Sequence, residues 1–112
     1  DRFGEYPDVV AYLLEIGLVK SYLDKVFVER VERKENKITV QFEKVTQRLF
    51  LAQDYFKALS ATNLKAAIAE NKGLMEVVFD VRNKKDYEIL EGLLIFGESL
   101  LEIKESKEAN PI

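Results

Sequence analysis

Phe27-Val28-Glu29-Arg30-Val31-Glu32-Arg33-Lys34-Glu35-Asn36-Lys37-Ile38-Thr39-Val40-Gln41-Phe42 is the stretch on which the fold turns. Phe27, Glu29, Val31 and Arg33 recur at every second position, Glu35-Asn36 supplies a turn, and Ile38, Val40 and Phe42 alternate with Lys37, Thr39 and Gln41. Successive side chains of a strand point to opposite faces, so the pattern predicts a β-hairpin with a β-branched apolar face.

Upstream the period is helical. Pro7 suits a first helical turn, and Val9, Tyr12, Leu13, Ile16, Val19 and Leu23 recur at spacings of three and four to about Lys25. Val10, Leu14 and Leu18 widen this stripe, which predicts a helix covered on more than one side. Asp1-Arg2-Phe3-Gly4 reads as the end of a preceding helix stopped by its glycine, so residues 1–6 are expected to be a helix tail.

Downstream, Arg48 to Leu51 has the look of a short strand, and Asp54 of the N-cap of a helix through Tyr55, Phe56, Leu59 and Ala61. Asn63 to Gly73 reads two ways. Local propensity favours a helix capped by Asn63 and stopped by Gly73. The other reading pairs Leu64–Ala69 with the next segment across Asn71-Lys72-Gly73. Leu74–Arg82 is a strand with Met75, Val77, Phe79 and Val81 on one face. Asn83 with Asp86 resembles a capping box that opens a long helix from Lys84 to about Glu105, and residues 107–112 are expected to fray. Gly92 and Gly97 fall inside that helix and read as close-packing positions, because a helix interior penalises glycine unless packing requires it. The whole is an α+β single domain over residues 1–112: an antiparallel sheet packed with a long N-terminal helix, a short middle helix and a long C-terminal helix.

Composition narrows the function. Of the 112 residues 47% are apolar and 33% charged, which suits a globular domain and not a disordered one. Cysteine, histidine and tryptophan are all absent. Disulfides, thiolate metal sites and histidine-dependent acid–base chemistry therefore fall away together. The five glycines form no phosphate-binding frame, the acidic residues no calcium-loop pattern, and the serines have no histidine to activate them. The chain reads as no enzyme, with no catalytic, metal or cofactor residues. Net charge is −3, and the two halves are nearly alike, with 10 acids and 9 bases in 1–56 against 10 and 8 in 57–112. Arg30, Arg33, Lys34 and Lys37 are interleaved with Glu29, Glu32 and Glu35, the pattern of a solvated hairpin rather than a nucleic-acid groove. No uncharged run is long enough to span a bilayer. What remains is a protein-contact module, expected to be a piece of a larger cytoplasmic protein.

Asp1-Arg2-Phe3-Gly4-x-x-Pro7, Leu13-Leu14-x-Ile16 with Lys20, Val28-Glu29-x-Val31 and Lys37-Ile38-Thr39-Val40-x-Phe42 together resemble the C-terminal domain of the bacterial transcription-repair coupling factor, Mfd. The likeness is strong over residues 1–42 and looser beyond, where element order and apolar pattern carry it. The resemblance implies a parent protein that is an ATP-driven DNA translocase of the helicase type. That parent uses ATP and magnesium in its motor, pushes stalled RNA polymerase off lesions and recruits UvrA for excision repair. It implies that the C-terminal domain is a cofactor-free autoinhibitory lid, which docks on the UvrB-like N-terminal module of the same chain and masks the UvrA-binding surface. In such proteins an acidic residue at the place of Asp1 faces arginines of the UvrB-like module. This makes Asp1 the first interface candidate, with Arg2 and Glu5 beside it. The resemblance also favours strand for Leu64–Ala69. A module that binds nucleic acid or RNA polymerase independently is the alternative.

Overall fold

The computed structural model describes residues 8–109, with side chains over 17–108. The chain runs α1 (Asp8–Lys25), β1 (Val28–Lys34), β2 (Lys37–Phe42), α2 (Thr46–Leu49), α3 (Ala52–Ser60), β3 (Lys65–Asn71), β4 (Leu74–Asp80) and α4 (Asp86–Ala109). The four strands form one antiparallel sheet in the order β1-β2-β4-β3. Two hairpins thus lie side by side, as expected.

Register explains the core. Ile38 pairs with Phe79 and Phe79 with Ala66, while Val40 pairs with Val77 and Val77 with Ile68. Opposed residues of antiparallel strands share a face, so these rows build one apolar surface. Ile89, Leu93, Phe96 and Leu100 of α4, spaced four, three and four apart, are all buried over it. Phe96 meets Phe79 edge-to-face at 5.3 Å and Phe42 at 6.2 Å, and Tyr55 of α3 closes on Phe42 at 5.2 Å.

α1 and α3 flank α4, Gly97 letting α1 lie close and Gly92 admitting Leu64 of the segment before β3. A Cβ on Gly92 would lie 2.4 Å from Leu64 Cδ1, and one on Gly97 would lie 3.0 Å from Tyr22 Cβ. The close-packing reading of both holds. Gly97 beside Tyr22 and Leu23, and Lys104 over the Phe27 ring at 5.7 Å, show α1 and α4 running in the same direction.

Several expectations are corrected. Arg48–Leu51 forms no strand: Thr46–Leu49 is one helical turn, anchored by the buried Thr46, whose hydroxyl donates to the Glu43 carbonyl at 2.7 Å. Asp54 sits in the first turn of α3 rather than before it, and its carboxylate accepts the Leu51 N–H at 2.8 Å. Asn83 caps nothing. It occupies a left-handed turn (φ 64°) closed by Lys84 N–H on Val81 O, and α4 is capped instead by Glu88, which accepts the Lys85 N–H at 2.8 Å. The helix then continues to Ala109, past the expected end near Glu105. Leu18 is exposed, so the described half of α1 is covered on one side only.

Leu64–Ala69 takes the strand reading, as Lys65–Asn71, against the helix propensity of its alanines. Seven ladder pairs with β4 outweigh that preference, and the Lys72-Gly73 turn, with both φ positive, fits the right-handed twist of a hairpin.

Tyr55 is 1% exposed, and among the described residues its hydroxyl finds no well-aligned hydrogen-bond partner, the neighbouring Thr46 hydroxyl donating to Glu43. Burial pushes the phenol pKa up, a shift that Thr46 reduces and the Asp54 carboxylate increases. A pKa raised on folding contributes stability that is present below the unfolded value, near pH 10, and lost as pH rises beyond it. Denaturant unfolding should therefore show an alkaline loss of stability that Tyr55→Phe removes, while Tyr55→Phe at neutral pH stays within about 1 kcal/mol of the parent. Gly92→Ala should cost about 1–3 kcal/mol by overpacking, in spite of a helix-propensity gain of up to about 1 kcal/mol. Leu64→Ala should lower the additional cost of Gly92→Ala in a double-mutant cycle; purely additive costs would contradict the packing role.

Candidate functional site

The three expected interface residues, Asp1, Arg2 and Glu5, all lie outside the described residues. So do the expected helix tail over 1–6 and the last three residues of the chain. Among the described residues no cluster of three or more Asp, Glu, His or Cys side chains is placed to hold a metal. No described helix is long and apolar enough to cross a membrane. Asp80 and Asp86, and Glu102 and Glu105, are sequence neighbours that stand on exposed or half-exposed surfaces. Asp80 has its pKa lowered by the Arg82 N–H that it accepts at 3.0 Å, with Arg82, Lys37 and Lys65 adding to the effect, so it is held as an anion and not primed as an acid.

An apolar groove of about 330 Å³ lies between α1, β1 and α4. Val19 and Leu23 form one wall, Leu90 and Leu93 the other, and Val28 the floor. Lys20, Asp24, Glu29 and Arg30 rim it with balanced charge. Val31 at its mouth is 45% exposed, and Leu18 on the same helix as Val19 is 52% exposed. A groove of this kind suits an apolar side chain from another protein surface and offers no reacting group.

The hairpin alternation predicted Val31 on the strand face with Phe27 and Glu29, which misses the groove. Phe27 stands before the strand at positive φ, 63°. Val28 pairs with Phe42, Arg30 with Gln41 and Val31 with Val40, so Glu29 is the extra residue of a β-bulge. The bulge brings Val28 and Val31, three apart, to the same face. Their spacing, against the two-residue spacing of Val40 and Phe42 opposite, was the signal available in the sequence. Arg33 also falls on this face and reaches Asp86 at the start of α4, at 3.5 Å with both side chains largely exposed, a contact worth little.

A second cleft lies between α3 and α4. Lys107 meets the Asp54 carboxylate there at 3.0 Å, and the same carboxylate caps α3. Its one well-buried charge is thus fully used in holding the two helices together.

Comparison with known proteins now bears on this arrangement. The model of the TRCF domain family matches residues 1–52, which span α1, the first hairpin and α2. A solved structure described as the crystal structure of the C-terminal domain of transcription-repair coupling factor is 93% identical, with a TM-score of 0.90. The match covers 96% of this chain and 66% of that one. No curated protein matches. Two antiparallel hairpins carrying α1, α3 and α4 on one face define the class of fold, an α+β domain. The chain belongs to the transcription-repair coupling factor family, as its C-terminal TRCF domain.

The groove mouth can be probed directly. Val31→Lys should leave unfolding stability within about 0.5 kcal/mol, because Val31 is a surface position on an edge strand. It should also lower fluorescence from an apolar dye bound to the folded chain; undiminished dye binding would place the dye, and the accessible apolar surface, elsewhere.

Proposed function

We propose that this domain is the non-catalytic, autoinhibitory lid of a transcription-repair coupling factor. In this reading it docks on the UvrB-like module of its own parent chain and covers the surface through which UvrA is recruited. The observation that carries the proposal is the 93% identity over nearly the whole chain to a C-terminal domain of such a factor. The apolar groove under exposed Val31, in a domain that brings no acid–base or metal centre together among its described residues, supports a role by occupancy.

The physics asks for a weak contact. Interfaces within one chain are typically about 600–1,500 Å² and partly polar, and the covalent link supplies a high effective concentration. A lid held too firmly would never yield; moving a two-state equilibrium from 1:99 to 99:1 takes a differential affinity of about 10⁴-fold. In the proposal, engagement of RNA polymerase and DNA by the parent supplies that difference. The domain needs no cofactor, and the ATP and magnesium of the parent act in its motor. Its setting is the cytoplasm, where the parent meets polymerase.

Asp1 is the proposed first contact, with Arg2 and Glu5 beside it. Titration of this chain with the UvrB-like module should give a measurable heat, and UvrA should compete for the module. No binding by either route would contradict the reading. In the parent protein, Asp1→Arg should raise both UvrA binding and basal ATPase activity; if both stay unchanged, Asp1 has no part in the lid.

A further inference from the structure

The tip of the first hairpin and the open end of the second gather cations that are scattered in the sequence. Lys34 pairs with Lys37, Lys37 with Asp80 and Asp80 with Lys65, so one row across all four strands reads Lys-Lys-Asp-Lys on the sheet face away from α4. At neighbouring strands about 4.8 Å apart, this row is about 14 Å long. Arg82 and Lys84 adjoin it on the turn after β4. That turn is fixed by the Asp80 carboxylate on the Arg82 N–H and by Lys84 N–H on Val81 O, and the Val81 N–H is tied to the first hairpin through Asn36 O at 2.8 Å. Two adjoining depressions of about 390 Å³ each share Arg82. One is lined by Lys34, Lys37, Glu32 and Glu35, the other by Lys65, Asp80 and Lys84.

Five cations therefore face three carboxylates on a chain whose net charge is −3. None of the five makes an ion pair among the described residues, where the pairs are Arg33–Asp86, Lys104–Glu108 and Lys107–Asp54. The next row inward on the same face is Glu32, Thr39, Val78 and Ala67, with Thr39 and Val78 half-buried and Ala67 exposed.

We propose that this basic end of the open sheet face, with Lys34, Lys37, Lys65, Arg82 and Lys84, is a docking surface for an acidic protein segment that carries an apolar residue. Charge complementarity selects an acidic partner. The mixture selects protein over nucleic acid. Glu32, Glu35 and Asp80 would each oppose a phosphate backbone but can pair with a base of a protein partner, and the rows described bring no aromatic side chain to stack on a nucleotide base. The apolar residue of the segment would rest on Val78 and Ala67. The surface is small: about 14 Å by 20 Å of sheet falls well short of the roughly 800 Å² per partner of a standard stable interface, so the contact is weak and salt-sensitive. It is separate from the groove, and it stands whether or not the lid reading does.

The test is an amide-resolved NMR titration of the chain with the acetylated peptide Glu-Glu-Leu-Glu-Glu-Leu-Glu-Glu, its Gln-for-Glu counterpart and a 12-base-pair duplex DNA. Expected are saturable shifts grouped on residues 34–39, 65–67 and 78–84, lost with the Gln peptide and weakened about fivefold or more between 50 and 200 mM salt. Lys37→Glu/Lys65→Glu should weaken binding about tenfold, and Lys44→Glu/Lys57→Glu, with the same change in net charge, less than about twofold. Equal loss in both double variants, shifts spread over every lysine, equal binding of the Gln peptide, or no saturable binding would overturn the proposal. Tighter binding of the duplex at the same amides would overturn it in favour of a phosphate-backbone contact. The peptide comparison is made on the parent chain, so it decides the matter even if a variant is unfolded.

Discussion

Everything in this fold is arranged around Phe96. It is fully buried, and it meets Phe79 of β4 and Phe42 of β2 edge-to-face, so the central helix is seated on the two central strands. Ring pairs of this geometry contribute about 0.5–1.5 kcal/mol each beyond the area they bury. Once α4 is fixed there, the space beside it is narrow. Gly92 and Gly97 let Leu64 and the end of α1 approach closely, and α3 then seals the far side through Tyr55 and the Asp54–Lys107 pair.

One consequence is asymmetry. The helices occupy one face of the sheet, and their layer stops short of the far end of β1. Val31 is left half in the open, and the groove beneath it is the price of α1 pairing with α4 rather than lying along β1. The opposite face holds Ala67, Ala69, Thr39 and Val78, with Glu76 satisfied by Gln41 at 2.9 Å and Asn71 at 3.2 Å. β1 as an edge is protected by its charges and its bulge, whereas β3 presents Ala66, Ala67 and Ala69 with only Lys65 and Glu70 charged.

Much of this was legible in the sequence, for identifiable reasons. β2 and β4 carry clear two-residue periods, so their elements and buried faces could be read directly, as could the long last helix and the close-packing role of Gly92 and Gly97 within it. What could not be read rests on register or on competition between local options. Glu29 breaks the two-residue period by one, and this hides the groove floor. The alanines of β3 prefer helix until β4 pairs with them, and there the family resemblance supplied the right answer where propensity did not. Asp54, Asn83 and Arg48–Leu51 were misplaced because several polar residues compete for each cap, and carboxylates inside the first turn, Asp54 and Glu88, took the backbone donors. The basic row of Lys34, Lys37 and Lys65 exists only once all four strands are in register. Asp1, Arg2 and Glu5 came from resemblance alone and lie outside the described residues.

A domain that acts, as we propose, by covering a surface of its parent protein must lose solvent access there in the resting parent. Hydrogen exchange compared between this chain alone and the same residues within the parent tests it most directly. Exchange in the parent should be slower over a contiguous surface patch, and should return to the isolated-chain rates when the parent is engaged on DNA with polymerase. Identical rates throughout, in the resting parent and in the isolated chain, would contradict it.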